Sequence, residues 1–443
     1  MEQPIPILSG MKSGTMRMRR REMLALTGLG LVGGLAHFSN SQEPATGGGG
    51  PETATDLSSW EGVRALFPLS PEYAHFAGML LASHPRPVRE ALEAHRRGLD
   101  DNPTLYLLRN NRRLEDEVRR AAADYLGARP QEIALTDSTT MGLGLVYNGV
   151  RIRSDQEILT TQHDYYSTRM SLRYKAARSG ASLRKLTLFE NLDSVTEDGL
   201  VEAVLDAVRR QTRVLALTWV HSSTGLKLPI RRISEGLARI NARRSEEDRV
   251  LLCVDGVHAL GVEDFEVEGL GCDFLIAGTH KWLFGPRGTG IIWGHPRAHA
   301  AVEPTIPTFT FVRGAGWGGN MTPGGFHSFE HRWALAQAFE LHQRIGKARV
   351  TQRLHALGRQ LKEGLAAMSH VRLHTPMDEN LSAAIVCFDV AGMRPRQAVA
   401  RLLDRGIIAS RTPYRPSLVR FSPGLFNTPE EIERALEAVR ALG

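Results

Sequence analysis

Between Val250 and Gly290 the chain reads VLLCVDGVHALGVEDFEVEGLGCDFLIAGTHKWLFGPRGTG, and it holds two side chains with complementary chemistry, the carboxylate of Asp255 and the amine of Lys281. A lysine withdrawn from water has a lowered pKa and can add to a carbonyl as a free amine, forming a Schiff base. A carboxylate beside a pyridinium nitrogen keeps that nitrogen protonated, which turns the ring into an electron sink. Each residue follows a short apolar run: Val250 to Val254 and Phe274 to Ala277 have strand length, β-branched or aromatic content, and glycine stops. They predict two buried strands whose carboxyl ends carry Asp255 on one and Thr279, His280 and Lys281 on the other. That is the edge at which open parallel sheets hold ligands.

Upstream strands must bring their own ends to the same edge. Ile133 to Thr136 is followed by Asp137, Ser138, Thr139 and Thr140 and a helical run. Hydroxyl residues there suit ordinary helix caps, and the free N–H groups of a helix start also suit phosphate. Ile158 to Thr161 ends in Gln162, His163, Asp164, Tyr165 and Tyr166, where an aromatic ring could stack on a flat ligand. Val214 to Val220 ends in His221, Ser222, Ser223, Thr224 and Gly225. A serine there equally suits a plain turn. The ends preceding Tyr165, Ser222, Asp255 and Lys281 thus aim chemistry at one place.

The pattern D-G-x-H-A, about twenty residues, then T-H-K-W-L-x-x-P-x-G-x-G resembles the class V aminotransferase group of pyridoxal-phosphate enzymes, and its H-K-W-L form is similar to the isopenicillin N epimerase and cysteine desulfurase branch. The resemblance runs from about Tyr73 to the C-terminus. It implies a type I pyridoxal-phosphate α/β fold, with a mostly parallel seven-stranded sheet in a large domain, a small α+β C-terminal domain, a homodimer, and pyridoxal 5'-phosphate as cofactor. It further implies that Lys281 carries the Schiff base, Asp255 faces the ring nitrogen, and Thr139, Thr140, Thr279 and His280 lie on the cofactor, with the phosphate near Thr139, Thr140 and His280. Tyr165 would stack on the ring, with His163 and Tyr166 as alternatives, and Ser222 and His258 would reach the phenolic oxygen. A neighbouring subunit would supply Ser328 or Thr322 to the phosphate. The segment V-R-F-S-P-x-x-F-N-T makes Arg420 the clamp for a substrate carboxylate.

These parts are common to transamination, epimerisation, elimination and decarboxylation. The expected activity is transamination or epimerisation at the α-carbon of an amino acid or aminoacyl metabolite, a small-molecule or peptide-like substrate. The alternatives are a C–S or other α,β-lyase, or a non-catalytic binding protein keeping the fold. Cysteine desulfurases carry a nucleophilic cysteine on a loop before the carboxylate arginine, whereas Ser410 to Ser417 (SRTPYRPS) has none, so persulfide chemistry of that kind is not expected.

The remaining chain organises this centre. Residues 1–40 resemble a twin-arginine export signal, with Arg19, Arg20 and Arg21 before Met23 and an apolar run from Leu24 to Leu35, which is too short to span a bilayer. Export would make the protein periplasmic; a non-functional signal would leave it cytoplasmic. Gly28, Gly30 and Gly33 spell G-x-G-x-x-G, but no strand precedes them, so a dinucleotide site is not expected. Residues 41–56 read as a flexible linker, 57–110 as an N-terminal segment packing on the small domain, 111–325 as the large domain and 326–443 as the small one. Gly314 to Gly325 reads as a lid or inter-subunit loop. The net charge of +7 is spread over helices with acids between, so no nucleic-acid site is expected. Cys253, Cys272 and Cys387 sit in apolar runs as packed thiols, and no metal-ligand spacing occurs among the sixteen histidines.

Overall fold

In the computed structural model, which describes residues 56–309 and 316–443, the apolar runs assemble into a large sheet and a smaller one. The expected export signal and nearly all of the linker lie outside the described residues. The large sheet has seven strands: β1 Ile133–Thr136, β2 Glu157–Thr161, β3 Ser182–Leu186, β4 Thr212–Thr218, β5 Leu251–Asp255, β6 Phe274–Gly278 and β7 Gly290–Gly294. Their spatial order is β1-β7-β6-β5-β4-β2-β3, and only β7 runs antiparallel to its neighbours. Helices Thr139–Gly149, Tyr166–Ser179, Glu197–Asp206 and Ile230–Asn241 connect the parallel strands.

Successive strand residues point to opposite faces, and both faces of this sheet are covered. Leu215, Leu217, Leu252, Val254 and Leu275 therefore join one apolar cluster, while Val214, Ala216, Leu251, Cys253 and Phe274 join another. That double burial is why the central strands are uninterrupted apolar runs, each large side chain contributing about 2 kcal/mol. The two strands that the sequence reading does not anticipate lack this signature or follow glycine. β3 is an edge strand with half-exposed residues, and β7 (GIIWG) is short and inserted between β1 and β6.

Glycines mark two close approaches. A Cβ on Gly278 would lie 2.7 Å from Thr139 Oγ1, and the Gly278 N–H donates to that oxygen at 2.8 Å, so the start of helix Thr139–Gly149 rests on the end of β6. A Cβ on Gly318 would lie 2.1 Å from the Ile133 carbonyl oxygen. Residues Gly316–Met321 accordingly form a short helix packed on β1, rather than the loop expected there. Helix Pro103–Leu126 also starts earlier than its apolar spacing suggests, with proline in its first turn, where the missing N–H has no helical partner to lose.

The smaller sheet contains β8 Val371–Leu373, β9 Val386–Val390, β10 Ser410–Arg411 and β11 Val419–Phe421, in the antiparallel order β10-β11-β9-β8. Val386, Phe388 and Phe421 pack against Leu357 and Leu361 of helix Lys347–Ala366 and Leu436 and Val439 of helix Pro429–Arg440. The latter opens on a capping box, in which Thr428 and Glu431 each satisfy the other's backbone N–H. Near the N-terminal end, Ala74–His75 pairs in parallel with Ile407–Ile408, and Ser422 N donates to Phe76 O at 2.8 Å. This pairing carries Met79 and Leu80 to the mouth of the cavity described next.

Candidate active site

In the sheet, Thr218 is level with Asp255 and Asp255 with Ile276, so β4, β5 and β6 end side by side. Beyond these ends lies a cavity of about 420 Å³ lined by groups from both sheets, including Thr139, Thr140, Tyr165, Ser222, Asp255, His258, His280, Lys281 and Arg420. The residues expected from four separate strand ends thus meet in one place.

Lys281 Nζ lies 3.5 Å from His258 Nε2, and Trp282 Nε1 donates to His258 Nδ1 at 3.2 Å. A ring that accepts at Nδ1 carries its proton on Nε2, facing the amine. Burial, assisted by the Lys281 and Arg420 charges, holds His258 well below the usual histidine range. Burial also lowers Lys281 to about 8, although Asp255 acts in the opposite sense. Asp255 itself is raised by burial, with Lys281 and the Val257 N–H limiting the rise. The shift enlarges the free-amine fraction that a nucleophile and base requires, while the ammonium form still predominates at neutral pH.

Arg420 is 1 % exposed, yet only part of its fork is used. Nε donates to Ser410 Oγ at 3.1 Å and Nη1 donates to the Ser222 carbonyl at 2.7 Å, while Nη2 has no hydrogen-bond partner among the described residues. A guanidinium fixed at two points with a free edge on a cavity is suited to a carboxylate. Helix Thr139–Gly149 begins at the same cavity, with Ser138 capping it through Met141 N at 3.1 Å and Thr140 Oγ1 lying 2.9 Å from Ser167 Oγ. Its first N–H groups and dipole suit an anion.

Some expected residues are placed elsewhere. The Thr279 side chain, just past the end of β6, is buried, lies 2.5 Å from Thr289 Oγ1 and does not line the cavity. Thr322 is also occupied, accepting from Leu135 N at 3.0 Å and donating to Gly318 O at 2.8 Å. Ser328 is exposed and outside its own chain's cavity. Of the three candidates for ring stacking, Tyr165 and His163 line the cavity, whereas Tyr166 is 61 % exposed and faces a separate groove with Arg169 and Lys185.

Two residues at the site have no role assigned from the sequence alone. Tyr414 lies on the loop noted only for lacking a cysteine; its hydroxyl is 2.7 Å from Ser222 Oγ and its ring meets Tyr165 edge-on at 6.2 Å. Burial pushes the Tyr414 phenol up to about 12, so it stays protonated. Asp164 is fully buried beneath the site. Its Oδ2 accepts from Thr160 Oγ1 (2.8 Å), Thr161 N (2.7 Å) and Thr161 Oγ1 (2.7 Å), and its Oδ1 accepts from Thr218 N (2.9 Å). One carboxylate thereby ties the ends of β2 and β4. Asp164→Ala leaves two backbone donors buried and unpaired, and it is expected to destabilise the protein by about 3 kcal/mol in chemical denaturation.

The cavity fits pyridoxal phosphate on its own observations. It has a lysine shifted toward the free amine, a buried carboxylate, a helix start, and buried cavity-lining atoms without partners, among them His280 Nδ1 and Thr218 Oγ1. Fold and site together define a class: the family model for aminotransferase class-V matches residues 106–435, and the chain belongs to that family of pyridoxal-phosphate enzymes. Among its relatives, isopenicillin N epimerase of Amycolatopsis lactamdurans is 29 % identical over 410 residues, covering 87 % of this chain and 99 % of the relative. Cysteine desulfurase of Klebsiella pneumoniae (strain 342) is 26 % identical over 352 residues, covering 74 % and 82 % respectively. The solved complex of the cystine C–S lyase C-DES with cysteine persulfide superposes with a TM-score of 0.77 at 23 % identity, covering 84 % of this chain and 99 % of that one. The last likeness concerns the fold.

Proposed function

We propose that this enzyme acts at the α-carbon of an amino acid or aminoacyl metabolite, by epimerisation or transamination, with Lys281 as covalent attachment point and proton carrier. The carrying observation is the 3.5 Å approach of the half-buried Lys281 amine to a neutral His258 in the same cavity as the free edge of Arg420. Pyridoxal phosphate, when bound, supplies a carbonyl for amine condensation and a protonated ring that spreads the electron pair released at the α-carbon. Arg420 holds the substrate carboxylate. Lys281 Nζ takes the α-proton and returns it, and Asp255 keeps a negative charge beneath the site where the ring nitrogen needs one. The Nε2–H of His258 steadies the amine between these steps.

The test is the visible spectrum of the purified protein, followed by borohydride reduction and peptide mapping. A visible band whose reduction leaves a pyridoxyl group on Lys281 supports the reading; a colourless protein that stays colourless with added cofactor sinks it and favours a binding protein. In deuterated water, α-deuteration with inversion indicates an epimerase, and a keto-acid product indicates a transaminase. Pyruvate, ammonia and cysteine persulfide from cystine would favour the lyase reading, for which the thiol-free loop at Ser410 to Ser417 is no obstacle.

Arg420→Lys keeps the charge and loses the planar fork. It is expected to raise KM about tenfold to a hundredfold with a smaller change in kcat, as removal of ground-state binding does. A mainly kcat effect would remove Arg420 from carboxylate binding.

The same proposal includes a homodimer in which Ser328 reaches the neighbouring site. Exposed Phe309 and Phe326 beside a second cavity of about 820 Å³ support it. A monomer by sedimentation at micromolar concentration would refute this part. Periplasmic delivery by the twin-arginine segment is likewise proposed, on the residues Arg20, Arg21 and Met23. A fusion of residues 1–60 to a folded reporter that stays in the cytoplasm would refute it.

A further inference from the structure

Ser222, in the turn after β4, has a partner at both of its oxygens. Its Oγ lies 2.7 Å from the Tyr414 hydroxyl and its carbonyl accepts from Arg420 at 2.7 Å. The preceding residue is in the opposite condition. His221 is 1 % exposed and lines the cavity, yet neither ring nitrogen has a hydrogen-bond partner among the described residues. Thr218 Oγ1, on the same strand end and also buried at the cavity, is unpartnered as well.

The ring is firmly held. His221 N donates to Leu226 O at 2.8 Å and its carbonyl accepts from Gly225 N at 2.7 Å, in a turn that places Gly225 at φ 76°. The imidazole lies 6.0 Å from His163 at 23°, and His163 stacks on Phe189 at 4.2 Å. Asp164 and His163 are the titratable groups facing it, and burial keeps it neutral, with one N–H donor and one acceptor. Burying both nitrogens unpaired costs free energy that packing alone would avoid with an apolar residue, and such groups in native proteins ordinarily have a missing partner.

We propose that His221 donates a hydrogen bond to an oxygen of the bound ligand, either the cofactor's phenolic oxygen or an oxygen in the substrate side chain, in the role the sequence reading assigns to Ser222. Ser222 instead joins the two sheets through Tyr414 and Arg420. The inference rests on cofactor binding in this cavity and not on which reaction follows.

The test uses holoenzyme carrying His221→Phe, which keeps the ring and stacking but removes both nitrogens, beside His221→Gln, which restores a donor. If the partner belongs to the cofactor, the substrate-free visible band of His221→Phe shifts its pH midpoint by about half a unit or more, and His221→Gln recovers part of the shift. If it belongs to the substrate, the resting spectrum is unchanged while the spectroscopic Kd for serine or glutamine weakens about fivefold and that for alanine does not. A variant with unchanged spectrum and unchanged Kd values, and a raised melting temperature from loss of the unpaired nitrogens, would overturn the proposal. If His221→Phe does not fold, the same readings on His221→Ala decide it. A protein that takes up no pyridoxal phosphate overturns this inference together with the proposed function. A loaded protein without α-carbon chemistry overturns only the latter.

Discussion

Lys281→Ala is expected to lower turnover about a thousandfold or more, since the group proposed as both attachment point and base is lost. The measurement is α-proton exchange of a responsive amino acid in deuterated water, together with borohydride mapping, which should find no pyridoxyl group at position 281. The loss should be chemical rather than structural. Burial lowers Lys281 from 10.5 to about 8, so its charged form is disfavoured in the folded state. That penalty is complete below about pH 8, fades between there and about 10.5, and is absent above. Alanine removes it but also leaves Asp255 without its counter-charge. The two effects oppose each other, and the melting temperature of the cofactor-free protein should change little. Retained exchange within tenfold of the parent would remove Lys281 from the base role.

Asp255→Asn is expected to separate activity from stability. Loss of the carboxylate beneath the site should lower turnover on the order of a hundredfold. The cofactor-free protein should nonetheless become more stable, because burial raises the Asp255 pKa from 3.8 to about 6. An acid raised in this way costs nothing below about 3.8; the cost grows between the two values and is complete above about 6. Asparagine removes it, so denaturation at pH 7 should show a gain of about 1 to 3 kcal/mol that disappears at pH 4. A loss of stability at pH 7 would mean that the Lys281 pairing outweighs desolvation at this site.

The placement of Asp255 and Lys281 at neighbouring strand ends was legible because its signals are local. Asp255 and Lys281 each follow an apolar run whose double burial leaves a plain mark in the chain, and the turn residues after each run fix which side chain emerges at the edge. Arg420 and His258 were legible only through the family pattern around them. Thr279 was misplaced because a one-residue change of direction turns a hydroxyl from the cavity to Thr289, and composition does not report that direction. β3 was missed because an edge strand is half exposed and loses the apolar run that marks its neighbours. Asp164 reads as one polar residue in a loop; three of its four hydrogen bonds are local, to Thr160 and Thr161, and the one from Thr218 N that ties β2 to β4 exists only once those strands lie in register.

By itself, then, the sequence determined the strand cores, their carboxyl ends, the Lys281 and Asp255 pair and the family to which they belong. Tertiary structure decided the rest. It brought Tyr414 to Ser222 across 192 positions of chain, fixed Arg420 on the Ser222 carbonyl, and left both His221 ring nitrogens without a partner among the described residues. The reason is that apolar periodicity is written along the chain, whereas hydrogen-bond partnership between distant loops is set by where packed elements finally stand.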